Sequence, residues 1–226
     1  MTMVLTVLHL CDSLFPIGAF AYSDGLETAT ASGAVHDVAT LAAWMDVCVN
    51  ETIGRTEGPM AFEAWSMVRD EEWCALRALD AEAIALTPSA SRRRASRAMG
   101  HRLLTTWRAL YQSPRLDALQ QLVARGELAP AFPIAFAAAC ATSGIDREQT
   151  LHAFAYTRLA AIASASMRLA PIGQTGAHAL LARHLDRVPA IVDAIAARRA
   201  APESFAPAAD IAAMSQQYLH SRLFRS

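Results

Sequence analysis

Seven histidines and four cysteines are the residues of this chain that could hold a metal ion or move a proton near neutral pH. His9, His36, His101, His152, His178, His184 and His220 include no His-x-x-x-His or His-Glu-x-x-His pair, the spacing that sets two imidazoles on one helix face. His178 and His184 point to nearly opposite sides of a helix with about 3.6 residues per turn. Cys11, Cys48, Cys74 and Cys140 stand far apart, so reduced, buried thiols are expected rather than a zinc or redox motif. A tight metal site would need ligands converging from distant segments or across a dimer, and none is expected within one chain.

All 20 basic residues are arginine, which excludes the phosphate-loop lysine and Schiff-base chemistry. There is no Gly-x-Ser-x-Gly elbow, aspartate-rich diphosphate motif or glycine-rich dinucleotide loop, and carboxylates are not paired on an apolar helix face. No catalytic residue and no cofactor are therefore expected. The alternative is a helical enzyme with a dispersed small-molecule site, which would show turnover in the isolated chain. Arg92, Arg93, Arg94, Arg97 and Arg102 cluster within Ser89 to Tyr111. With a net charge of −1 and no clear helix-turn-helix, they read as a solvated helix face and not as a nucleic-acid surface.

The elements that must position any site are helices. Hydrophobic residues make up 54% of 226, alanine is the commonest of them, and no segment alternates with the period of two that a half-buried strand needs. Asp37 precedes an apolar stripe of Leu41, Trp44, Met45 and Val49, with Gly54 and Gly58-Pro59 expected to end that helix. Ser113-Pro114 and Asp146 with Gln149 read as further helix starts. The uncharged run from Ala129 to Ile145 holds two prolines and is shorter than the ~20 residues of a membrane span, so it reads as a buried helix. The apolar stretch from Met3 to Cys11 lacks the preceding basic residue of a signal peptide, and a cytoplasmic protein is expected. The fold class expected is all-α: one compact multi-helix domain over residues 1–206, then a C-terminal helix and tail over 207–226, set off by Pro202 and Pro207.

One stretch breaks the helical pattern. From Phe15 to Glu27, proline and two glycines interrupt it while Phe15, Phe20 and Tyr22 crowd in, which reads as a structured turn anchored by its aromatics.

In that stretch Pro16, Gly18, Phe20, Tyr22, Ser23, Gly25, Leu26 and Glu27 resemble the N-terminal signature of the UreF family of urease accessory proteins. Arg168-Leu169, then Pro171-Ile172-Gly173-Gln174-Thr175, are similar to the family's second motif, and Ser221-Arg222-Leu223-Phe224-Arg225-Ser226 to its C-terminus. Gln216-Gln217 stand where the family often has histidine-glutamate. The resemblance implies an all-α, UreF-like helical bundle that dimerises. It implies binding to UreD (also called UreH) and, through that pair, to the GTPase UreG and apo-urease, supporting nickel insertion as a non-enzymatic adaptor and regulating UreG. No nucleic acid and no membrane are expected among its partners. Partner contacts are then expected at Pro16, Gly18, Phe20, Tyr22, Ser23, Gly25, Glu27, Arg168, Gly173, Gln174, Arg222, Leu223 and Phe224. Glu27 and Ser23 are expected to face a partner, and the tail from Met214 to be mobile until one orders it.

Overall fold

Alanine-rich segments with stripes at three-to-four spacing become twelve α-helices among the described residues, 2–198 and 201–225 of a computed structural model, with no strand among them. In chain order these are α1 (Met3–Leu10), α2 (Leu26–Ala31), α3 (Val38–Val47), α4 (Gly58–Arg69), α5 (Trp73–Ala85) and α6 (Ala90–Leu110). They continue as α7 (Pro114–Ala124), α8 (Phe132–Thr142), α9 (Arg147–Leu169), α10 (Gln174–Leu185), α11 (Val188–Arg198) and α12 (Pro207–Ser215). No described helix is long and apolar enough to cross a membrane.

Side-chain caps set three of the described helix starts, while Ser113 makes no side-chain cap hydrogen bond and α7 simply opens on Pro114. Asp37 accepts a hydrogen bond from the Thr40 amide in a reciprocal capping box, Ser89 accepts from the Arg92 amide, and Asp146 accepts from the Gln149 amide. The expected break at Gly54 and Gly58-Pro59 does not occur. Residues Cys48–Glu57 instead form a π-helix that joins α3 to α4 without interruption. Space is short at Gly58, where a Cβ would lie 2.2 Å from the Ile53 carbonyl oxygen of the π-helix and 2.8 Å from Ile195 Cδ1 of α11, while one on Gly54 would lie 3.1 Å from the Val49 carbonyl oxygen. Pro59 thus lies inside a continuous helical run, and the Arg55 carbonyl four residues before it accepts a hydrogen bond from the Glu203 amide at 2.9 Å instead.

The run from Ala129 to Ile145 is the buried helix its composition implies. Every residue of α8 from Phe132 to Cys140 is buried, held between α4, α6 and α9. Phe132, Phe136 and Phe154 stack at its centre with ring centroids 5.5–5.9 Å apart. Gly100 lets α6 close on this core, because a Cβ there would lie 2.1 Å from the Pro130 carbonyl oxygen. Gly100→Ala is accordingly expected to destabilise the protein by about 1–3 kcal/mol, the usual cost of overpacking. Urea denaturation measures it, and an unchanged midpoint would show that α6 shifts freely.

Candidate functional site

The turn between α1 and α2 is fixed at its base and open at its tip. Phe15 and Ile17 are buried, and the Phe15 ring packs edge-on to His9 and against Trp107, while His9 Nδ1 is hydrogen-bonded to the Tyr111 hydroxyl at 2.6 Å. Phe20, expected as an anchor, is 70% exposed; its backbone sits in the 3-10 turn Ala19–Ala21 and its ring stands in solvent. Gly18, Asp24 and Gly25 all have positive φ, which explains both glycines. At Gly25 a side chain would also meet the Ala213 backbone nitrogen at 2.9 Å, so α12 crosses directly over this glycine.

Behind the turn lies a half-buried ion network. The two oxygens of Asp24 pair with Arg92 Nε at 2.6 Å and with Arg158 Nη2. Arg92 continues to Asp210 of α12 at 2.9 Å, and Arg158 Nε lies 2.8 Å from Glu57 Oε2 without hydrogen-bond alignment. Although burial opposes its charge, Asp24 is held down at about 2 by the two guanidinium groups. Burial pushes the Glu57 and Asp210 carboxyls up. Reading Arg92 as part of a solvated face is thus corrected: the first turn of α6 aims it at Asp24 and Asp210. Arg94, Arg97 and Arg102 are exposed, as that reading expected.

Glu27 faces inward. It is 6% exposed and accepts hydrogen bonds from Gln216 Nε2 at 2.8 Å, from the Leu223 amide, and at 3.4 Å from the Phe224 amide. Gln216 also donates to Ser23 Oγ at 3.2 Å, and the Arg225 amide donates to the Ala21 carbonyl at 2.7 Å. The expectation that Glu27 and Ser23 meet a partner is corrected: both are buried under the chain's own C-terminal segment. The expectation of a mobile tail is corrected with it, since Phe224 is only 4% exposed and belongs to the core. Ser226 lies outside the described residues.

Arg168 joins the three signature segments. Its Nη1 donates to the Phe20 carbonyl at 3.0 Å, and its guanidinium lies 4.3 Å from the centroid of the Phe224 ring. Tyr22 is half-buried, Pro16, Arg222 and Leu223 are exposed, and Gly25 is buried. Gly173 and Gln174 are exposed at the start of α10, and among the described residues no hydrogen bond joins them to the turn or the tail. Sequence reasoning missed Asp24, Glu57, Arg158 and Gln216. Asp24 carried one usable signal, an acidic residue inside a turn otherwise built of apolar and small residues.

An open, mainly apolar groove of about 600 Å³ runs beside the site, lined by Leu8, Phe20, Tyr22, Tyr156, Ala160 and Phe224 among others. The small residues on the second half of α9 make room for it. Of the free cysteines, Cys48 and Cys140 are buried, with the Cys48 thiol pushed up to about 12 by burial; Cys74 is exposed, against expectation.

The chain is similar in sequence to known proteins along most of its length. The UreF family model matches residues 35–185. A Methylorubrum populi protein named urease accessory protein UreF is 35% identical over 213 residues, 94% of each chain. Relatives of the same name from Rhodopseudomonas palustris and an Arthrobacter species are 34% and 31% identical, covering 94% and 98% of this chain and 89% and 96% of their own. The chain belongs to the UreF family of urease accessory proteins.

Proposed function

We propose that this protein is a non-enzymatic adaptor of urease maturation in the cytoplasm. It acts as a homodimer with UreD (UreH) and the GTPase UreG on apo-urease, supporting nickel insertion and regulating GTP hydrolysis by UreG. The observation that carries this reading is the meeting of three sequence-distant signature segments at Arg168 on one surface, with exposed Phe20 and Leu223 beside them. Segments this far apart in the chain come together here around a tip that presents aromatic, leucine and arginine side chains to solvent. Aromatic and arginine side chains are enriched where proteins recognise one another. Residues 207–226 serve as the partner-binding tail by completing this surface.

The test is co-purification of UreD and UreG with apo-urease, in the presence and absence of this chain. Assembly and urease activation that proceed equally without it would refute the adaptor reading. The isolated chain is also expected neither to hydrolyse GTP nor to bind nickel tightly, because it lacks a phosphate-loop lysine and locally paired ligands. Calorimetry that found a submicromolar, one-per-chain nickel site would count against this.

A further inference from the structure

Charge is segregated by sign across the three signature segments. The acidic residues of the turn, Asp24 and Glu27, are turned inward, the first onto Arg92 and Arg158 and the second onto Gln216 and two backbone amides. Four other arginines in or beside these segments face out. Arg102 stands over Gly18, its Nη1 only 2.6 Å from where a Cβ on that glycine would be. Arg168 lies between the Phe20 carbonyl and the Phe224 ring. Arg222 and Arg225 flank Phe224 on the strip of tail laid along Ala21 and Glu27. All four are exposed, and none has an acidic partner among the described residues.

We propose that this surface receives an acidic segment of a protein partner, its carboxylates seated on Arg102, Arg168, Arg222 and Arg225 around the exposed Phe20 and Leu223 side chains. This rests on the adaptor reading and assigns the chemistry of the docked face. Guanidinium groups suit carboxylates because two N–H groups can bond both oxygens at once. Arg168 has spent one such donor on Phe20 and keeps others for a ligand. The patch presents positive charge, the opposite of what an outward-facing Glu27 would have offered. A nucleic acid fits less well, because the chain carries a net charge of −1 and a nucleic-acid surface normally extends over a wider basic face.

The test measures binding of the full chain to purified UreD and UreG by interferometry at about 50 and 300 mM salt, beside a fluorescent duplex DNA. The charge-reversed pair Arg102→Glu/Arg222→Glu touches side chains that make no hydrogen bond among the described residues, with Arg102→Gln/Arg222→Gln as a milder version should the first fail to fold. Arg125→Glu/Arg183→Glu changes charge equally at exposed sites outside the three segments. Wild-type binding is expected to weaken about tenfold or more with salt, and the Arg102/Arg222 reversal to weaken it about tenfold or more at low salt, the control staying within about twofold. Binding that survives reversal, or is lost equally in the control, overturns the acidic-segment assignment and leaves the adaptor reading standing. Tighter binding to DNA than to either protein also overturns it. A wild-type chain that captures neither protein removes the adaptor reading itself.

Discussion

Arg158→Met is expected to lower the stability of this protein by about 3–5 kcal/mol, the cost of breaking a buried ion pair from one side. Arg158 is the cation shared by Asp24 and Glu57, and its side chain is 12% exposed. Without it Glu57 loses its cation, and Asp24 keeps only Arg92, which Asp210 also engages. For a chain of this length the loss corresponds to a melting temperature roughly 10 °C lower. A urea midpoint consistent with less than about 1 kcal/mol would show that water replaces the guanidinium.

The same network sets the acid limb of stability. The Asp24 carboxyl is held at about 2, below its ordinary 3.8, so the folded state binds its proton less readily than the unfolded chain does. Its contribution is therefore complete above the ordinary carboxylate range and is lost as pH falls from about 4 to 2. Glu57 and Asp210 shift upward, so protonating them above that range favours the folded state and offsets part of the loss. Asp24→Asn is expected to be less stable at neutral pH and to lose less further stability between pH 4 and 2 than the parent. Parallel acid limbs in the two proteins would exclude Asp24 as the controlling group.

The second large effect is expected from Glu27→Ala, which should release the C-terminal segment and with it partner binding. The substitution leaves the Gln216 amide and the amides of Leu223 and Phe224 without their acceptor, at about 1–3 kcal/mol for each donor that stays buried. Undocking lets water satisfy all three, and it forfeits the burial of Phe224, worth about 1.5–3 kcal/mol. Detachment is thus cheaper than holding the tail in place unsatisfied. Faster amide exchange at residues 222–225 and rapid tryptic cleavage at Arg222, with helix content almost unchanged, are expected. Capture of UreD and UreG should fall about tenfold or more, because the docked surface would be dismantled. Unaltered exchange would mean that Arg168 stacking alone retains the tail. Altered exchange with normal capture would mean that the tail is no part of the docking surface.

Much of the fold was legible without coordinates because its determinants are local. The caps at Asp37 and Asp146 lie within three residues of the groups they satisfy, and the apolar run through α8 leaves no face for solvent. The signature segments were legible as patterns for the same reason: glycine and proline announce a turn in the chain where they stand. The sense in which the turn is used was not. Whether Glu27 points at a partner or at the chain's own tail depends on a pairing across 196 residues with Leu223, and whether Arg92 is solvated depends on Asp210, 118 residues away. Gly58 looked like a helix end and proved to be space taken by the Ile53 carbonyl of the π-helix and by Ile195 of α11, since a missing side chain has the same sequence appearance whether it frees the backbone or makes room for a neighbour. Composition, periodicity and capping by themselves determined an all-helical chain with an irregular aromatic turn. Only the tertiary structure decided which of the turn's charges face water, because burial and long-range pairing belong to the packed whole and leave no periodic trace in the residues that make them.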